Sequence, residues 1–435
     1  MRVRLETLGC RLNISEVESI ARKFMAAGHW VVGPDEVADL CVLNTCTVTG
    51  AAARKSRQII RHLKRTNPGA AVVVTGCYAE LEPDQVTALG VDLVLGNQDK
   101  DRLVELVEEH TSAWGLWDDT QKAANATPPM PDFLYTYPGA RTRAFIKVQD
   151  GCDNRCTFCI VTVARGVGRS RPADDVIGEV QNLVRAGYQE VVLSGVHLGS
   201  YGHDAGEQLG LFHLVHRLLN ETEVPRLRLS SLEPWDLDAD FFTLWENPRL
   251  GRHLHLPLQS GCDATLKRMA RRTTAADYSQ LVAAARGAIP DLSVTTDIMV
   301  GFPGETELEF SQSLAFVEAM AFAKLHIFRY SRRPGTVAAS MQGQVPPDTM
   351  AERSRRTRTL GARLERTFRS SFVGRTMDVL WETYELDGDS VLWKGLTSNY
   401  LRVSAPGGPD LRNAITTVRM VTDTSGGLTG YIVDR

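Results

Sequence analysis

The sequence predicts an α/β protein built from an N-terminal doubly wound parallel sheet, a central partial (β/α)6 barrel and a small C-terminal antiparallel β-barrel. Three observations predict it. Strand-like runs alternate with helical periods over residues 1–112 and again over 141–370, the pattern of parallel sheets covered by helices. Cysteine, glycine and polar residues collect just past the predicted strand ends, where open parallel sheets and (β/α) barrels place their sites. From 371 to 435 the apolar pattern shifts to the strand period, with turn residues between the runs. A length of 435 residues suits about three domains, read as 1–112, 141–370 and 371–435, with 113–140 as a linker.

Composition excludes several classes. Hydrophobic residues make up 43% and charged residues 23% of the chain, the balance of an ordinary soluble protein. A net charge of −3 does not by itself announce a nucleic-acid partner. Met1-Arg2-Val3-Arg4-Leu5-Glu6 has no apolar core of a signal peptide, and no uncharged apolar run reaches the ~20 residues needed to cross a bilayer. Eight cysteines in so long a chain are too sparse for a disulfide scaffold. Thiolate–metal use in a reducing, cytoplasmic setting fits them better.

In the N-terminal region, Val3–Thr7 reads as a strand, and Ser15 with Glu18 reads as a capping box opening a helix that runs to Gly28. Asp39–Asn44, Ala71–Thr75 and Val91–Leu95 are further strands, and a helix from Lys100 to Glu109 closes the region. Cys10, Cys46 and Cys77 each fall just past a strand end. Strand ends of a parallel sheet face one crevice, so three thiols distant in sequence are expected to meet there; the competing reading is scattered buried thiols. Cys41 falls inside a strand and reads as core. Between the second and third strands lies a basic helix, about Ala51 to Arg65. Its segment 54–65 carries six Lys or Arg and no acid, which reads as a solvated face or a phosphate contact.

Residues 113–140 are poorly periodic and rich in proline, as a surface linker would be. Next comes Ala144–Gln149, a strand, then Asp150-Gly151 as a turn and Cys152, Cys156 and Cys159 at C-x3-C-x2-C spacing. Four thiolates would close an iron–sulfur cluster, whereas three leave one iron open. A zinc knuckle favours paired C-x2-C units with a nearby fourth ligand, and no His or Cys follows within thirty residues. Further strands are expected at Glu190–Ser194, Arg226–Ser230, His253–Leu258, Ser293–Met299 and Lys324–Arg329. The helices between them include one opened by a Thr306/Glu309 capping box. Polar and glycine residues stand at the strand ends: Ser194, Gly195, Glu233, Gln259, Asp297 and Gly301. They suit the hydroxyls and amino group of a nucleoside-bearing ligand. Cys262 reads as an incidental thiol. A last helix, Ala351–Arg369, holds seven Arg and two Glu.

In the tail, Met377–Tyr384, Val391–Trp393 and Tyr400–Val403 alternate as strands around turns at 387–389 and 407–410. From Gly374 to Arg435 there are six Lys or Arg against eight Asp or Glu. An RNA contact here would therefore rely on Trp381, Trp393, Tyr384 or Tyr400 as stacking platforms, unless these aromatics are barrel core.

The C-x3-C-x2-C loop with Phe158 before its last cysteine resembles the radical S-adenosylmethionine (SAM) enzymes. Thr7-Leu8-Gly9-Cys10, Asn44-Thr45-Cys46-Thr47-Val48 and Thr75-Gly76-Cys77-Tyr78 resemble the N-terminal domain of the methylthiotransferases, and the tail is similar in position to their RNA-binding TRAM domain. The resemblance spans nearly the whole chain. It implies a radical SAM core and a [4Fe-4S] cluster on Cys152, Cys156 and Cys159. Phe158, Ser194, Gly195, Glu233, Gln259, Asp297 and Gly301 would lie around SAM, and an auxiliary [4Fe-4S] cluster would sit on Cys10, Cys46 and Cys77. One SAM would supply a methyl group to sulfur at the auxiliary cluster. Another would be cleaved to a 5′-deoxyadenosyl radical that activates adenine C2–H. Through Lys55-Ser56-Arg57-Gln58, Gly195 to Gly202 and Ser230 to Trp235, the chain is most similar to the subgroup acting on N6-threonylcarbamoyladenosine at tRNA position 37. The partners implied are a tRNA anticodon loop, an electron donor such as flavodoxin or ferredoxin, and a sulfur source, with no membrane. Sister activities on isopentenyladenosine in tRNA or on a ribosomal-protein aspartate stand as alternatives, as does an iron–sulfur RNA-binding protein without turnover.

Overall fold

A computed structural model describes residues 1–111, 114–115, 141–205, 210–387, 390–408 and 410–433. Nearly all of the expected linker, part of the 387–389 turn and Pro409 lie outside them.

Strands β1 (Arg2–Thr7), β2 (Trp30–Val32), β3 (Leu40–Thr45), β4 (Ala71–Gly76) and β5 (Leu93–Val94) form a parallel sheet in the order β2-β1-β3-β4-β5. Every residue of β3 and β4 is buried, so these strands are apolar runs rather than alternating ones. The sequence reading missed β2, an edge strand of three residues too short to show a period. It also misplaced the first helix start. That helix spans Arg11–Ala26 with Cys10 as its N-cap residue, and Ser15 and Glu18 lie buried inside it. Glu18 does not cap; its carboxylate accepts from the Phe145 N–H of the next unit at 3.1 Å. A second helix, Gly50–Thr66, begins where Thr49 accepts from the Ala52 N–H at 3.1 Å. Cys41 is fully buried in β3, among Leu43, Ile60 and Val72.

Strand β6 (Ala144–Lys147) leads into a short antiparallel pair, β7 (Gln149–Asp150) and β8 (Arg169–Ser170), which frames the C-x3-C-x2-C loop. Strands β9 (Glu190–Ser194) and β10 (Arg226–Leu229) continue from β6, and β11 (His253–His255), β12 (Ser293–Val300) and β13 (Lys324–Arg329) form a second parallel set. Single parallel bridges, Leu227 to Leu250 and Ser231 to His255, join the two sets between β10 and β11. The result is six curved strands in the order β6-β9-β10-β11-β12-β13. Helices Ala173–Arg185, Leu211–Glu221, Ala275–Ala288 and Glu307–Met320 bury Val180, Leu183, Val215, Val282 and Val317 against the strands in one apolar core. The Thr306/Glu309 capping box is present. Among the described residues β6 and β13 do not pair. Instead, the Arg11–Ala26 helix packs on β6 at the open side.

The tail is a closed barrel of β14 (Thr376–Asp387), β15 (Ser390–Thr397), β16 (Arg402–Pro406), β17 (Ile415–Thr424) and β18 (Gly427–Ile432), in the order β14-β15-β16-β18-β17. The sequence reading stopped short of β17 and β18. Trp381 and Trp393 are 0% and 1% exposed and form the barrel core, so they cannot stack on RNA from outside. Tyr384 is exposed. Tyr400 turns toward the base of the central strands, where its ring stacks on His253 at 4.7 Å. The tail docks there through Arg226 and Arg228, which donate to the backbone oxygens of Leu396, Thr397 and Ser398. Five of the seven arginines expected on the last basic helix (Pro347–Ser370) are paired with acids: Arg353, Arg355, Arg356, Arg363 and Arg369. Its charge is largely internal. Among the described residues no helix is long and apolar enough to cross a membrane.

Candidate active site

Cys10, Cys46 and Cys77 follow β1, β3 and β4, which are neighbours in the sheet, so topology alone brings their loops together. Two glycines close the approach. A Cβ on Gly9 would meet the Cys46 Cβ at 2.7 Å. Gly76 has φ +98°, and a Cβ there would meet the Thr45 backbone oxygen at 2.4 Å. Only a residue without a side chain lets β4 turn into Cys77 against the Cys46 loop. Burial pushes the Cys46 thiol up to about 11 and raises that of Cys10, with Arg165 pulling the latter back.

In the second loop the sulfurs are surrounded by donors. The Asn154 N–H points at Cys152 Sγ and the Val161 N–H at Cys159 Sγ, each at 3.4 Å. The Arg271 guanidinium lies 3.7 Å from Cys156 Sγ. It is itself held by both carboxylate oxygens of Glu233, at 3.1 and 2.6 Å. His197 bonds Asp236 at 2.6 Å and stands beside Asn154. Burial pushes the Cys159 thiol up to about 12. Burial thus favours the neutral thiol at Cys156 and Cys159, and a cationic iron–sulfur core is what converts such groups to thiolates. N–H donors aimed at the sulfurs are the surroundings such a core uses to tune its potential. Three cysteine thiols of one loop, each with an N–H or guanidinium donor near its sulfur, make up the donor set. The donor set therefore fits a cluster.

All six cysteines line one cavity of about 600 Å³. Phe158, Ser194, Gly195, Glu233, Gln259 and Asp297 line it too. Ser194 Oγ and Ser230 Oγ are buried without a hydrogen-bond partner, as hydroxyls awaiting a ligand would be. Gln259 holds a positive φ of 72°, strain of the kind that collects at ligand sites. This cradle fits a SAM molecule. Gly301 is placed elsewhere: its N–H donates to Glu305 at 2.7 Å and it packs under Met350, outside the cavity lining. The Gly301–Glu305 turn thus anchors Arg353, which pairs with Glu305 at 2.8 Å. Cys262 is buried, donates to Gln312 at 3.3 Å and does not line the cavity.

The sequence reading missed Arg165, Arg271, His255 and His326, all of which line the cavity. Inward alternation along β11 and β13 carries a signal for the two histidines. Nothing local marks the arginines, whose partners are far away in sequence. Arg165 donates to Glu16, Asp150 and Asn13, at 2.8 to 2.9 Å, and so ties the Arg11–Ala26 helix to the second cysteine loop.

Residues 146–317 match the Radical SAM superfamily model, and residues 2–96 match a family described as "Uncharacterized protein family UPF0004". The solved structure of the radical SAM methyltransferase TsrM from Kitasatospora setae aligns with TM-score 0.53 at 16% identity, covering 78% of this chain and 77% of that one, a likeness of fold. Fold and site define a radical SAM enzyme, with SAM and [4Fe-4S] iron–sulfur as its cofactors. The threonylcarbamoyladenosine tRNA methylthiotransferase of Bacillus subtilis is 37% identical, covering 96% of this chain and 93% of its own length. The Thermotoga maritima protein of the same name is 37% identical, covering 89% and 88%. A tRNA-2-methylthio-N(6)-dimethylallyladenosine synthase of Jannaschia sp. is 35% identical, covering 99% and 93%. The chain belongs to the radical SAM methylthiotransferase family.

Proposed function

We propose that this enzyme converts N6-threonylcarbamoyladenosine at position 37 of tRNA to its 2-methylthio derivative. The observation that carries the reading is the single cavity of about 600 Å³ onto which both cysteine sets open. When bound, the two clusters and SAM would supply the radical, methyl and sulfur chemistry, with electrons from a flavodoxin or ferredoxin and sulfur from a separate source. The chain's own work is to hold the two thiol sets across one cavity, to orient Cys156 through Arg271 and Glu233, and to admit an unstacked base. Phe328 and Val48, both exposed, line the cavity and the mouth beside it, apolar surfaces on which a splayed base can rest. The Gly50–Thr66 helix begins beside Val48. Among the described residues none of its six Lys and Arg forms an ion pair, which supports contact with RNA phosphates. Relatives named for threonylcarbamoyladenosine and for dimethylallyladenosine both span the chain, so the N6 substituent is what an experiment must decide. Reconstituted protein given SAM, reductant, sulfide and tRNA should add one sulfur and one CH2 to threonylcarbamoyladenosine by nucleoside mass spectrometry. Addition to isopentenyladenosine instead, or to a ribosomal-protein aspartate, would assign the sister activity.

A further inference from the structure

Three arginines line the cavity that holds the cysteines, and two are already neutralised: Arg165 by Glu16 and Asp150, Arg271 by Glu233. Arg11 is not. Among the described residues it meets no carboxylate; its one polar contact is the Tyr400 hydroxyl at 3.3 Å, with the guanidinium 5.3 Å from that ring. Helix electrostatics do not explain it either. Arg11 is the first residue of the Arg11–Ala26 helix, where the dipole disfavours a cation, and the first turn holds no acid. A local rule broken without local compensation points to function.

The side chain is nevertheless held firmly. Tyr400 accepts from Arg143 at 2.8 Å, lies under Arg228 at 4.5 Å and stacks on His253, so it is a fixed post for Arg11. Arg11 also lines a second cavity, of about 700 Å³, between the central strands and the tail. Of the other Lys and Arg there, Arg143, Lys324, Arg369 and Lys394 each have a carboxylate partner, while Arg402, on the tail side, is exposed and among the described residues has none. Arg11 follows Cys10 directly and therefore sits where the two cavities meet, beside the auxiliary thiols. A guanidinium carries five donors in a planar fork matched to a carboxylate, and most of these donors are unused here.

We propose that Arg11 is the residue that reads the carboxylate of the threonylcarbamoyl group, a charge that an isopentenyl substituent lacks. This rests on the substrate reading above and makes Arg11 a specificity determinant rather than a cluster ligand. SAM also carries a carboxylate, and the test separates the two sources.

Anticodon stem-loops carrying threonylcarbamoyladenosine, its neutral carboxamide, isopentenyladenosine or plain adenosine are titrated against reconstituted full-length protein by fluorescence anisotropy. SAM binding is measured separately by equilibrium dialysis. Arg11→Gln should weaken the threonylcarbamoyl stem-loop by about 10- to 100-fold and leave the plain adenosine one unmoved, with Arg11→Lys recovering part of the loss. The neutral carboxamide should weaken binding to the wild-type chain by a similar factor, a result that depends on no variant folding. Equal losses on every RNA, an unchanged preference, or a loss of SAM affinity in place of RNA affinity would each overturn the assignment. A wild-type chain that modifies only isopentenyladenosine would remove the substrate reading and this inference with it. Threonylcarbamoyl modification by wild type with an undiminished preference in Arg11→Gln would remove this inference alone.

Discussion

The two cysteine sets reach the same cavity by opposite routes. Cys152, Cys156 and Cys159 come from one loop of eight residues, fixed by local spacing and framed by the β7–β8 pair. Cys10, Cys46 and Cys77 come from three loops spread over 68 residues of chain and meet only because β1, β3 and β4 are adjacent and parallel. The first set is a motif and the second is a consequence of topology. A motif survives small changes in the surrounding fold, whereas a site assembled from strand ends depends on every contact that keeps those ends in register.

The largest effects should come from the thiols themselves. Cys156→Ala should abolish 5′-deoxyadenosine formation. Cys46→Ala should abolish methylthiolation while SAM cleavage persists, with iron content falling by about half as only three of the six thiols are disturbed. Full methylthio product from Cys46→Ala would break the distinction between the sets.

Next is the tie between them. Arg165 is buried and bonded to Glu16, Asp150 and Asn13 at once. Arg165→Met removes a shared partner of two buried carboxylates, leaving Glu16 with Lys100 at 2.5 Å and Asp150 with Lys147 at 3.4 Å. A loss of about 1.5 to 3 kcal/mol, that of charge-assisted hydrogen bonds, is expected in denaturant unfolding; a change within error would show that the two units are held together elsewhere.

Gly76→Ala sharpens the topological half. Positive φ and a 2.4 Å clash with the Thr45 oxygen should cost about 1 to 3 kcal/mol in strain and should selectively lower iron at the N-terminal set. Unaltered iron would mean the Cys77 loop tolerates displacement.

The smallest effect concerns pH. Burial pushes the Glu18 carboxyl up to about 7 in the fold, where it accepts from Phe145 on the strand leading to the second loop. The folded state therefore prefers the protonated acid. Its contribution is complete below the unfolded carboxylate range and is lost as pH rises through about 7. The shift corresponds to about 3 kcal/mol by pH 8, of which Glu18→Gln, still a buried polar group, should recover about 1 kcal/mol. Melting temperatures of the two proteins should coincide at pH 5 and separate at pH 8, with the variant higher. Parallel curves would assign the burial cost elsewhere.

The legible parts of this site share one property: the side chain's role is set within a few residues. The C-x3-C-x2-C loop, the Thr306/Glu309 cap and the glycine–cysteine strand ends are of that kind. The Ser15/Glu18 pattern shows the limit, because it obeys the capping rule in sequence while Glu18 is used between units and the helix starts at Arg11. Trp381 and Trp393 show another, since alternation along β14 and β15 cannot say which face a closed barrel will bury.

By itself the sequence determined most of the alternation of strands and helices, though not β2, β17 or β18, and the placement of cysteines at strand ends, because periodicity and turn chemistry are local. The tertiary structure alone decided that Arg271 serves Cys156, that Arg165 ties the two cysteine regions together, that the Gly301–Glu305 turn anchors Arg353, and that Arg11 meets no carboxylate among the described residues. Each of those outcomes pairs groups separated by tens to hundreds of residues, and the strength of a charge or hydrogen bond is set by what folding brings beside it and how far water is excluded.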